Sequence, residues 1–248
     1  MIRSSHYYQW PASSHWSEIC DACRPGSPEH SQALKALCEA FLGPVYSYVR
    51  RAVRSGDEAK DVTQDFFAYL LGESQPLLKY DRDRGRFRPF LITVLENFLK
   101  NHHRNSGALK RGGGTTVLSV DWQALEQLCP GSADASPEVE FDRTYARVIL
   151  ERSLAAVRAD FARSRRGVRV EPLLSRLIDG KTTTYEDMAV ELGMSAGALR
   201  TAASRLLAQL RVRVHQEVAR TVPVGADVDA ELRHLYEAFF PAPPRPLL

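Results

Sequence analysis

The chain has 248 residues, of which 44% are hydrophobic and 25% charged, and carries a formal net charge of +3 at pH 7. This composition suits one large or two small globular cores and argues against a wholly disordered or membrane-embedded chain. With so little net charge, any nucleic-acid role must come from clustered rather than total charge.

Residues 1–26 read as a polar leader spotted with aromatics, MIRSSHYYQWPASSHW at its start. It holds no long apolar run, so neither a signal peptide nor a membrane anchor is expected, and a cytoplasmic location is. Four cysteines do not make a disulfide framework in a chain of this size, and reduced thiols are expected. Cys20-x-x-Cys23, with His15 and His30 nearby, could form a His/Cys zinc site; no second CxxC follows, and an incidental pair is the plainer reading. No cofactor or catalytic centre is expected.

Leu34, Leu37, Cys38, Phe41, Leu42, Val45, Tyr46 and Val49 recur at helical spacing, and Pro44 should bend that helix or split it. Ser55-Gly56-Asp57 reads as a stop followed by an N-cap at Asp57. On the next helix Ala59, Val62, Phe66 and Leu70 form an apolar wall, which turns Asp61, Gln64 and Asp65 outward as an acidic face. Gly72 to Pro76 closes it.

Asp81 to Arg88 is a loop of alternating charge in which Arg82, Arg84, Arg86 and Arg88 stand near Phe87 and Phe90. Guanidinium groups neutralise phosphates and an aromatic ring accepts an unstacked base, so the mixture suits single-stranded nucleic acid. A solvated loop with local ion pairs is the alternative. Phe90 to Lys100 returns to helical periodicity; Asn97 offers both donor and acceptor to a base edge, and Lys100, His102, His103, Arg104, Lys110 and Arg111 extend a positive track. His102 and His103 are adjacent, point to different sides of a helix and have no acid placed beside them, so they do not read as metal ligands.

From Asn105 to about Glu140 the chain is rich in Gly, Ser and Pro and reads as a linker. Arg111 to Gly114 lacks the Lys-Ser/Thr of a phosphate loop. Ser136-Pro137-Glu138 starts a helix that continues through Phe141, Tyr145, Val148, Ile149, Leu154 and Val157. Farther on, Thr184 with Asp187 three residues later is a capping-box variant, Gly193 suits a positive-φ turn, and Ser195 can cap a helix whose inner stripe is Leu199, Ala203, Leu206 and Leu210.

That is the pattern of a helix-turn-helix, whose second helix would bring Ser195, Ala196, Gly197, Arg200, Ser204 and Arg205 near phosphates or base edges, with Arg200 the candidate base reader. A plain helical hairpin in a core fits the same spacing. Val228 to Phe240 predicts a short helix with Leu232, Leu235, Tyr236 and Phe239 on one side, packed on a domain, before PAPPRPLL ends it. With no strand alternation and no internal repeat, the expected fold is all-α.

In this order the parts resemble the extracytoplasmic-function group of bacterial RNA polymerase sigma factors. DEAKDVTQDFFAYLL is similar to their polymerase-binding helix, RFRPFLITVLENFLKNHHR to their promoter-melting and minus-ten-reading segment, and YEDMAVELGMSAGALRTAASRLLAQLR to the helix-turn-helix that reads the minus-thirty-five element. RGRFRPFL, KRGGG, LSVD, SPEVEFDR and DVDAELRHL resemble one subgroup with a long linker and a C-terminal extension.

The resemblance implies a sigma region 2-like domain over residues 27–105, a linker over 106–137, a region 4-like domain over 138–220 and an extension over 221–248. It implies that Asp61, Gln64 and Asp65, supported by Phe67, face the clamp helices of the polymerase's largest subunit, and that the flap is a further contact. Arg84, Arg86, Phe87, Arg88, Asn97, Lys100, Asn101 and Arg104 would face the minus-ten element, with Asn97 and the Arg86-Phe87 loop capturing a flipped base and Lys100 and Arg104 holding the backbone. Ala202 and Leu207 stand where many relatives carry basic residues, which implies weaker upstream contacts. Promoter DNA and core polymerase are thus the expected partners; an anti-sigma protein, a kinase or the chain's own tail are candidates for control. The rival readings are a stand-alone helix-turn-helix regulator with a sensing N-terminal domain, and a zinc- or redox-responsive interaction protein.

Overall fold

The computed structural model describes residues 30–53, 55–72, 76–81, 85–105, 120–129, 135–163, 170–179, 184–223 and 225–240, and among these every regular element is helical. His15, Cys20, Cys23, Arg82, Arg84, Lys110 and Arg111 lie outside the described residues. Two compact units are formed, one by the chain up to Val148 together with Val218 onward, the other by Ile149–Glu217.

The first unit begins with α1 (His30–Ala52), which runs through Pro44 as a single helix rather than as two. Phe41, Leu42, Val45 and Tyr46 are buried on both sides of the proline. Burying such side chains contributes roughly 1.5–3 kcal/mol each, enough to outweigh the ~3 kcal/mol that an internal proline costs a helix. α2 (Gly56–Leu71) starts two residues earlier than expected: Ser55, not Asp57, is the N-cap, its Oγ accepting from the Glu58 amide at 3.1 Å. Asp57 sits in the first turn and accepts from Lys60 Nζ at 2.8 Å. Gly72 ends α2 where a Cβ would come within 2.6 Å of the Ala68 carbonyl.

A 3-10 turn (Pro76–Lys79) buries Leu77 and leads to α3 (Phe87–Asn105). α2 and α3 meet through Phe66 and Phe98, ring centroids 5.5 Å apart, with Tyr69 5.3 Å from Phe98.

Residues 120–129, expected within a plain linker, instead form α4 (Trp122–Leu128), capped by Asp121. It packs on α1: Leu125 is buried, Trp122 lies 5.4 Å from the Tyr46 ring, and Glu126 accepts from the Tyr46 hydroxyl and from Arg50 Nε at 3.1 Å. The hydrogen bond from Tyr46 and the one from Arg50 hold the Glu126 carboxyl below its usual range.

α5 (Pro137–Arg163) gives its first turns to this unit, where Phe41 stacks 5.2 Å from Tyr145 and 6.5 Å from Phe141. Residues 137–148 thus fall in the first unit, where Phe141, Tyr145 and Val148 are buried. α9 (Val228–Phe239), capped by Asp227, belongs to the same unit and buries Leu235 and Glu231.

The second unit comprises the rest of α5 with α6 (Val170–Asp179), α7 (Tyr185–Leu192) and α8 (Ala196–Ala219) as far as Glu217. Leu154, Val157, Leu173, Leu174, Met188, Leu199, Ala203 and Leu206 form its core. No described helix is long and apolar enough to cross a membrane.

Candidate nucleic-acid interface

α2 sorts its residues by periodicity. Ala59, Val62, Thr63, Phe66, Phe67 and Leu70 are buried, which leaves Asp61, Gln64 and Asp65 exposed on the opposite side. Phe67 is 1% exposed, so it can support that face only from behind. Asp65 Oδ2 lies 3.5 Å from His102 Nε2, which ties the acidic face to the end of α3.

On α3 the buried side is Phe87, Leu91, Leu95 and Leu99, and Asn97, Lys100, Asn101 and Arg104 are all exposed. Their spacing of three and four residues gathers them on one face of the helix, two uncharged amides among two cations. Lys100 lies 3.8 Å from Glu96, an exposed pair that water and phosphate readily replace.

The start of α3 is arranged differently. Phe87 is fully buried, its ring 5.1 Å from both Phe41 and Tyr80. Such a ring cannot stack on an unpaired base without leaving the core, so base capture by Phe87 is not what this arrangement provides. Arg88, 8% exposed, donates through Nε to Glu231 Oε1 at 2.7 Å and through Nη1 to Asp142 Oδ1 at 2.8 Å. Arg86 donates to Glu231 Oε2 at 2.6 Å. Among the promoter-facing residues expected here, Arg88 is thus held inside the unit and Arg86 is half-buried against α9.

In the second unit, Thr184 and Asp187 form a full capping box: the Thr184 Oγ1 accepts from the Asp187 amide at 3.1 Å and the Asp187 carboxylate accepts from the Thr184 amide at 3.2 Å. The Thr184 hydroxyl, which donates to Asp187 Oδ2 at 2.7 Å, and then the Thr184 amide lower the Asp187 carboxyl pKa. Gly193 adopts φ 64 and ψ 33, and Ser195 Oγ accepts from the Ala198 amide at 3.2 Å at the start of α8. Ser195, Gly197, Arg200, Ser204 and Arg205 are exposed, whereas Ala196 packs partly against the core. Arg200 is paired with Glu186 of α7 and lies 5.9 Å from the Tyr185 ring centroid, so its guanidinium is already oriented by the preceding helix.

One family model, that of sigma-70 region 2, matches residues 37–108, which run from Leu37 in α1 through α2 and α3. This segment is a sigma-70 region 2. Neither a search of curated proteins nor one of solved structures found a match. Region 2 supports a sigma-factor role in RNA polymerase binding and promoter melting. Both exposed faces, the acidic one on α2 and the mixed one on α3, lie inside it.

Two carboxylates that hold arginines of region 2, Glu231 and Asp142, were missed by the sequence reading, and so was His234 beside them. His234 Nε2 sits 2.7 Å from Asp142 Oδ2, next to the Arg88 contact. The signal available was a carboxylate on the apolar stripe of α9, one turn before Leu235. A charge in that place needs a buried partner, and the chain's densest arginine loop supplies it.

Proposed function

We propose that this chain is a promoter-specificity factor of the extracytoplasmic-function sigma group, which recruits core RNA polymerase and helps open and capture the minus-ten element while catalysing nothing itself. Asp61, Gln64 and Asp65 take the basic clamp helices of the largest subunit; Asn97, Lys100, Asn101 and Arg104 take the unpaired strand, Asn97 reading a base edge and the cations holding phosphates. The observation that carries this reading is that, within one region 2, the acidic set and the mixed set stand exposed on adjacent helices. α8 reads the upstream duplex through Arg200, Ser204 and Arg205. The flap of the polymerase is a further contact, and the protein works in the cytoplasm.

Strand opening then needs no ATP, since captured bases offset part of the unstacking free energy of a few kcal/mol per step. In vitro transcription with core polymerase tests the reading. Asp61→Arg should abolish core binding and leave binding of single-stranded DNA intact, and Asn97→Ala should spare core binding and impair opening. Equal loss of both functions in both variants would overturn the division of labour.

A further inference from the structure

α9 places a carboxylate where region 2 would otherwise present cations. Glu231 is 1% exposed, and its two oxygens are divided between two arginines, Oε1 to Arg88 and Oε2 to Arg86. Arg86 also donates to the Asp227 carbonyl at 3.4 Å, at the N-cap of the same helix. An anion that takes two guanidinium groups through separate oxygens has the chemistry of a backbone phosphate.

Leu235 is the buried apolar side chain of α9, Arg143 Nε donates to the Ala238 carbonyl at 3.0 Å and His234 meets Asp142, while Tyr236 and Phe240 stay 46% and 50% exposed. A helix of twelve residues whose most buried side chain is a carboxylate shared by two arginines is the kind of element that a competing anion can displace.

We propose that α9 is an intramolecular competitor of promoter DNA: Glu231 occupies Arg86 and Arg88, and single-stranded phosphate must displace it to reach them. The proposal rests on the sigma-factor reading for the identity of the competing strand. It gives the extension a regulatory role, lowering affinity for melted DNA until something with greater local charge takes the two arginines.

The test uses the full chain and fluorescein-labelled oligo(dT), followed by anisotropy across a salt series. Glu231→Gln keeps the shape and removes the charge. It should bind several-fold more tightly, with a salt slope steeper by about 1.4, two phosphate contacts at about 0.7 each on a single strand. Adding Arg86→Ala should remove about half of that increment. Unchanged or weaker binding by a Glu231→Gln protein that retains its circular dichroism spectrum would overturn the proposal.

Amide hydrogen exchange on the unaltered chain is the second arm and needs no variant. Saturating oligo(dT) should quicken exchange across residues 231–239, and unchanged or slower exchange there counts against the proposal. Core binding by Asp61→Arg is scored separately. Should that variant still bind core, the sigma-factor reading fails while the competition for Arg86 and Arg88 is judged on its own data.

Discussion

Arg88 stands between two carboxylates from different helices, Asp142 of α5 and Glu231 of α9, and all three are nearly excluded from water. Burial alone would lower its pKa; the hydrogen bond to Glu231 and the charges of Asp142 and Glu231 outweigh burial and raise it. Arg88→Met would leave both acids without that partner, and breaking a buried pair costs about 3–5 kcal/mol, measurable as a lower urea midpoint. Glu186→Ala, which removes the exposed partner of Arg200, should cost about 1 kcal/mol at most. Burial also pushes the Cys38 thiol up to about 12. A raised folded-state pKa stabilises the fold below the unfolded value, near 9, and that contribution is lost as pH rises through about 12. Iodoacetamide at pH 8 should therefore leave Cys38 unmodified in the native protein and label it after denaturation, which mass spectrometry of the peptides would show.

The helix-turn-helix depends on two residues that set backbone geometry rather than packing, Gly193 in the turn between α7 and α8 and Thr184 at the start of α7. Gly193 has φ 64 and open space where a Cβ would sit, so Gly193→Ala meets no clash but takes on the left-handed penalty of about 1–2 kcal/mol. Thr184→Ala removes a capping hydroxyl and should cost about 1 kcal/mol. Thermal melts would rank both against the unaltered chain, and a Gly193→Ala protein as stable as the parent would mean that the turn had relaxed. These features were legible in the sequence because capping boxes and positive-φ glycines are local. The outward turn of Asp61, Gln64 and Asp65 was legible for the same reason, since Ala59, Val62, Phe66 and Leu70 define the wall behind them. What could not be read was pairing across long separations: Tyr46 with Glu126, Phe41 with Tyr145, and Arg86 and Arg88 with Glu231. Each joins residues whose spacing carries no period, so Phe87 and Arg88 looked like loop residues open to DNA when tertiary contacts bury them.

A chain of net charge +3 can hold DNA only where its cations remain available, and in the second unit many are already engaged. Arg200 pairs with Glu186, Arg213 and Arg163 with Asp160, and Arg158 with Glu171. Duplex binding by the full chain without polymerase should accordingly show a shallow salt dependence, because each neutralised phosphate contributes a slope of about 0.9 and few are neutralised. Leu207 offers a direct test. It follows Arg200 by seven residues and Ser204 by three, so it lies on the same face of α8, and it is exposed rather than part of the core. Ala202, the other position lacking an expected basic residue, packs partly against the core and is a poor place for a charge. Leu207→Arg should add one phosphate contact, steepening the duplex salt slope by about 0.9 and raising affinity at low salt without base preference, as fluorescence anisotropy on unrelated duplexes would record. If the slope does not move, the Arg200–Ser204–Leu207 face is not the one that meets the backbone, and the placement of α8 in the groove must be given up.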